Sequence, residues 1–217
     1  MVRERYHNDL HRLKDDLSTM GSLVSEAVVN AVTSLKNQDV NLAQDVIDQD
    51  DVIDEIHVNI EDACMRLLAL QQPMARDLRL IISVLKMNID LERIGDLALE
   101  ISIIAKITAN SPPIKPLIDI PRMSEIEQEM LKKTMIAFEN KDIEMAKEVA
   151  RRDDELDNLF DQIRRELISY MIEDPKTIKG AQHLTFVARY LERIGDHITN
   201  LCESVVFMVT GDRVELN

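Results

Sequence analysis

The sequence predicts an all-α protein built as two tandem antiparallel three-helix bundles, six long helices from an internal duplication. Three observations carry that prediction. The composition favours helices: 5 glycines, 6 prolines, 11 methionines and 3% aromatics in 217 residues, with abundant leucine and charged helix formers. The hexapeptide LERIGD occurs at 91–96 and again at 191–196, and such self-similarity marks a duplicated unit. Apolar residues recur at steps of three and four over long stretches, the period of an amphipathic helix.

The duplication reaches well past the hexamer. NQDVNLAQDV (37–46) aligns with NKDIEMAKEV (140–149), and Asp50, Asp51, Ile53 and Asp54 align with Asp153, Asp154, Leu156 and Asp157. The offset is 103 there (140 against 37) and 100 at the hexamers (191 against 91), so a loop differs by three residues. The copies run roughly over 20–106 and 122–209, and residues 1–20, without a counterpart, lengthen the first helix.

Taken in order, a first helix is expected over about 4–36 and a second over 40–71. A third follows Pro73 and runs to about 107. Its stripe is Val84, Met87, Leu91, Ile94, Ala98 and Ile101. TANSPPIKPLIDIP (108–121) holds four prolines, which helix interiors exclude, and reads as a linker. A fourth helix is expected over about 123–140 and a fifth over 142–172. The sixth starts at Pro175, behind the N-cap Asp174, and runs to about 209. Its stripe is Leu184, Val187, Leu191, Ile194, Ile198, Leu201, Val205 and Met208. The domains are therefore 1–107 and 122–210, with the linker 108–121 between them. Short turns between long helices imply up-down-up bundles.

Composition narrows the function. The net charge is −14, which speaks against a nucleic-acid partner, since that needs a basic surface. It suits cations or basic protein surfaces. No apolar run approaches a membrane span and no signal peptide is visible, so no membrane insertion and a cytoplasmic location are expected. Cys64 and Cys202 lie singly on apolar helical patterns and read as buried free thiols.

Chemistry concentrates in acids. Each half carries two pairs spaced i,i+4: Asp50/Asp54 with Glu92/Asp96, and Asp153/Asp157 with Glu192/Asp196. That spacing stacks two carboxylates on one helix face. If pairs from neighbouring helices converge, the charges repel unless a cation lies between them. Hard oxygen donors suit iron, manganese, magnesium or calcium. The plainer alternative is a solvated charged face, with Arg93 and Arg193 forming surface ion pairs to Asp96 and Asp196. Asp50 and Asp153 fall in slots of the heptad pattern where apolar residues are expected, so each calls for a partner. Glu192 and Asp196 point away from the main stripe, which would put a shared site in a surface groove. Gly95 and Gly195 fall in mid-helix at a cost of about 1 kcal/mol each, explained by close helix packing or by room for an ion.

Histidine adds little. His57 and His197 follow Asp54 and Asp196 and read as outer-sphere or surface groups. The Glu-x-x-His pattern of a di-iron oxidase occurs only at Glu4/His7, without a second copy. No phosphate-binding loop, nucleophile elbow or Cys/His cluster is present, and no anion cradle is evident.

The doubled LERIGD, continuing as LERIGDHITNLCESVVFMVTG (191–211), the doubled D-x-x-x-D and the opening LKDDLSTMGSLVSEAV (13–28) closely resemble the PhoU phosphate-signalling family over nearly the whole chain. The resemblance implies a cytoplasmic negative regulator of phosphate uptake and phosphate-starvation signalling. Its partners would be a phosphate ABC transporter ATPase and a sensor histidine kinase. Some members hold multinuclear iron on E/D-x-x-x-D pairs, which correspond here to Asp50, Asp54, Glu92, Asp96, Asp153, Asp157, Glu192 and Asp196. All eight are acidic; other divalent cations would also suit them. The resulting expectation is a non-enzymatic adaptor, a homodimer, with no catalytic residue. The alternatives are a carboxylate-bridged metalloenzyme, an oxidase or phosphatase, and a bare helical scaffold.

Overall fold

A computed structural model of the chain describes residues 2–216, with side chains from Tyr6 onward. Among the described residues helices are the only regular elements, joined by turns and by the non-helical segment 109–118. The helices are α1 (Val2–Asn37), α2 (Val40–Gln71), α3 (Ala75–Thr108), α4 (Asp119–Asn140), α5 (Ile143–Ala150), α6 (Asp153–Glu173) and α7 (Ile178–Thr210). A 3₁₀ turn over Pro175–Thr177 leads into α7.

The duplication is visible at the turns. α1 ends on Gln38 (φ 54°) and α4 on Lys141 (φ 58°), two non-glycine residues in left-handed backbone at matched positions. Each is followed by an aspartate N-cap. Asp39 accepts from the amides of Asn41 and Leu42 at 3.0 and 3.1 Å. Asp142 accepts from the Met145 amide at 3.0 Å. Such caps satisfy amides that have no partner within the helix.

Two boundaries differ from expectation. α4 begins at Asp119, so Pro121 lies inside its first turn, where a missing N–H costs nothing. The single helix expected over 142–172 is two pieces, α5 and α6, joined by a turn at Arg151–Arg152. Arg152 reaches Glu129 of α4 at 2.9 Å and Glu155 at 3.2 Å. Asp153, Asp154 and Glu155 then occupy the first turn of α6, where negative charge suits the helix dipole. The apolar register continues across this break, so periodicity alone conceals it.

α1, α2 and α3 pack on one another, as do α4, α6 and α7 with α5 over α4 and α7. The two groups lie side by side: α1 packs on α4 and α3 on α7. Gly21 allows this approach, because a Cβ there would stand 3.1 Å from Cγ and Sδ of Met135. Both predicted stripes are buried over their whole length, and the buried side chains of both halves form one continuous core. Cys64 and Cys202 are free and buried, and burial pushes both thiols up to about 12.

Candidate metal centre

The first carboxylate group sits where α2 and α3 run antiparallel. α2 presents Asp50 and Asp54 one turn apart, and α3 presents Glu92 and Asp96. Burial pushes the Asp50 carboxyl up to about 6, reinforced by the charges of Asp54, Asp96, Asp51 and Glu92. All four predicted acids are thus within electrostatic reach of one another. Burial also raises Glu92, with Asp96 adding to the effect while Arg93 and His57 oppose it. Arg93 lies over the group, 2.8 Å from Asp96 and 3.4 Å from Glu92. The Arg93–Asp96 ion pair of the plainer alternative therefore forms, beside the carboxylate group.

The second group is divided. Asp157 is raised by burial first and by Asp196 next, and Arg189 opposes the rise. Burial likewise raises Glu192, Arg189 again opposing, with Asp196 and Asp157 adding to it. These three thus interact across α6 and α7, with Glu192 9% exposed. Asp153 is the most buried of the four. It is 2% exposed and stands against Gly195 of α7. Its charge acts on Glu127 of α4 and Cys202 of α7. Asp50, in an unbroken α2, stays with its quartet.

Two residues of this region escaped the sequence reading. Arg189 pairs with Glu192 on the same helix, a role that Arg93 fills in the first half from a different position. Glu127 is 1% exposed, and neither carboxyl oxygen has a hydrogen-bond partner among the described residues. Burial, then Asp153, hold it well above the usual carboxylate range. Its signal was present: it interrupts the apolar stripe of α4 just as Asp153 interrupts that of the next helix. Its counterpart in the first copy is Val24, which is apolar and buried.

Among the described residues, neither His57 nor His197 hydrogen-bonds a carboxylate of the two groups. His57 Nδ1 lies 3.4 Å from the Asn88 carbonyl, and the Asn88 amide donates to the His57 carbonyl at 3.0 Å. His197 pairs with Asp90 of the other half at 2.9 Å, so it joins the halves instead of serving Asp196. The Glu4 side chain lies outside the described residues.

The donor chemistry suits a hard cation. The Asp50 carboxyl is raised by burial first and then by like-charge crowding, and the crowding is what a positive ion would relieve. Among the described residues, however, no three His, Cys, Asp or Glu side chains are arranged to enclose a metal ion. Arg93 and Arg189 supply the positive charge in this conformation.

A family description, "PhoU domain", matches residues 17–105 and 120–205. The chain belongs to the PhoU family. The phosphate-specific transport system accessory protein PhoU homolog of Aquifex aeolicus is 44% identical over 207 residues, covering 95% of this chain and 94% of its own length. The homolog of the same name from Clostridium acetobutylicum is 37% identical over the full length of both. The crystal structure of PhoU from Pseudomonas aeruginosa superposes with a TM-score of 0.92 at 37% identity, covering 95% of this chain and all of that one. The phosphate transport system regulatory protein PhoU from Streptococcus pneumoniae gives 0.89 at 29% identity, covering 96% and 99%. The side-by-side arrangement of two helical groups in this PhoU chain is thus that of solved relatives.

Proposed function

We propose that this PhoU-family chain is a cytoplasmic, non-enzymatic adaptor that restrains phosphate uptake and phosphate-starvation signalling. Its partners on this reading are the phosphate transporter's ATPase subunit and a sensor histidine kinase, and it acts as a homodimer. One observation carries the reading: relatives matched over almost their entire length are named accessory or regulatory proteins of phosphate transport. Among the described residues no helix is long and apolar enough to cross a membrane, consistent with contact through helical faces.

The acidic groups are the proposed control point. Asp50, Asp54, Glu92 and Asp96 would hold a cation between α2 and α3. Asp157, Glu192 and Asp196, with Asp153 after reorientation, would do so between α6 and α7. Bound there, a multinuclear metal, iron or another divalent ion, would supply the positive charge that lets these carboxylates ionise together. Arg93 and Arg189 occupy the same carboxylates and must release them. Ion binding and arginine pairing are then two states of one surface, and a partner that prefers one state shifts the balance.

The test measures binding of purified protein to the isolated ATPase subunit and the kinase cytoplasmic region, with and without chelator. Binding at about 10 μM or tighter, altered by chelation, is expected. No binding to either under any metal condition sinks the adaptor. Elemental analysis of protein purified without chelator addresses the cation separately. Bound metal should fall on Asp50→Asn with Asp54→Asn, and sedimentation should report a dimer.

A further inference from the structure

A cavity of about 400 Å³ opens at the end of the molecule where α3 begins, bounded by α1, the turn between α4 and α5, and the end of α7. Its floor is apolar and its rim is basic. Lys14 comes from α1, Arg76 from the first turn of α3 and Lys141 from the left-handed turn residue after α4; His7 and His11 complete the rim. Among the described residues none of the three permanent cations is ion-paired, in a chain with 40 acidic residues against 26 lysines and arginines. The acidic wall residue, Asp77, accepts a hydrogen bond from the Tyr6 hydroxyl at 3.1 Å. His11 is held by Asp15 at 2.8 Å.

The cations crowd one another. Burial lowers the Lys141 pKa, and the charges of Arg76 and Lys14 lower it further, with Asp77 opposing. Three positive groups from three separate elements thus share one space at a cost. The positive end of the α3 dipole adds to their field, and Met74 provides no side-chain cap there. The opposing end of α7 is already neutralised, because Arg79 donates to the Met208 and Val209 carbonyls at 3.3 and 3.4 Å. The duplication supplies a second instance. The matched end of the molecule holds another cavity of about 400 Å³, beside Gln38, with Lys36, Lys176 and Lys179 in its wall.

We propose that the cavity framed by Lys14, Arg76 and Lys141 binds a multivalent phosphate-type oxyanion, either free inorganic phosphate or pyrophosphate, or the phosphate of a small ester. Arg76 offers the forked donor geometry that oxyanions match, and the two lysines supply compact charge. The apolar floor gives room for more than a bare tetrahedral ion. This site is separate from the carboxylate groups and stands whether or not they hold metal.

The experiment is an amide NMR titration of the full chain at constant ionic strength with sodium phosphate, pyrophosphate and adenosine monophosphate in turn. At least one anion should saturate shifts at Arg76, Asp77 and Lys141 with a dissociation constant of about 1 mM or tighter. Arg76→Gln and Lys141→Gln should each weaken it by about tenfold or more. Glutamine already occupies the matched left-handed position as Gln38, so Lys141→Gln keeps the turn; Lys14→Gln is a second variant on an unbroken helix. Lys36→Gln should leave these shifts unchanged. Saturation by the inorganic anions alone assigns a free oxyanion, and saturation by the monophosphate alone assigns an ester. Non-saturating drift with all three, or affinity unchanged in both Arg76→Gln and Lys141→Gln, overturns the proposal.

Discussion

Two glycines at matched positions make different demands. A Cβ on Gly95 would lie 3.4 Å from Ile53 Cγ2 and 3.7 Å from Asp50 Oδ1, ordinary contact distances. One on Gly195 would come within 2.6 Å of Leu156 Cδ1 and collide with the Asp153 carboxylate. Gly95→Ala should therefore stabilise the cation-free protein by up to about 1 kcal/mol through helix propensity. Gly195→Ala should destabilise it by about 1–3 kcal/mol through overpacking. Urea unfolding of both variants checks this, and equal effects would contradict it. Glu127 offers a second test. Its carboxyl, held well above the usual carboxylate range by burial and then by Asp153, shares a small pocket with Ser25, Val28, Gln128, Leu131, Ile194 and Ile198. Replacing it with an apolar side chain of similar length, Glu127→Met, should raise the unfolding free energy by about 1–2 kcal/mol near neutral pH. The mid-helix glycines and the core-slot acids Asp50 and Asp153 were legible as anomalies in the sequence. Which of them is tightly packed was not, because that depends on the distance between helices.

At the scale of helices, α2 and α3 bring a quartet of acids together, while on α6 and α7 the fourth acid, Asp153, is buried. The eight acids were legible from spacing and repetition. The burial of Asp153 beside Glu127 was not, since it depends on a side chain that α4 brings to α6. The crowding has a pH consequence. The Asp50 carboxyl, at about 6 in the folded protein, keeps a proton that the unfolded chain has released. Cation-free protein should therefore lose stability as pH rises from about 4 toward 6. Asp50→Asn should flatten that slope. A divalent cation takes the ionised form, so its stabilisation should grow as pH rises through the same window. Thermal denaturation across this range, with chelator and with manganese, reads both. A stability that climbs with pH in chelator would mean the acids are not crowded.

For the molecule as a whole, the two halves share one core. α1 lies on α4 and α3 on α7, with Gly21 against Met135 and His197 bonded to Asp90 across the boundary. The full chain should therefore unfold in a single calorimetric transition, and two resolved transitions would show the halves to be independent. Residues 1–118 produced alone should expose the α1 and α3 faces that meet α4 and α7, Gly21 among them, and should self-associate.

Helical class, the duplication, both apolar stripes and the acid pairs are local properties of the chain, set by periodicity and spacing within single helices, so the sequence by itself determined them. Only the tertiary structure decided how the halves join, that Asp153 is buried within reach of Glu127, and that Lys14, Arg76 and Lys141 meet around one cavity. The physical reason is range. Periodicity acts over a few turns of helix, whereas burial and charge repulsion depend on side chains brought together from distant parts of the chain.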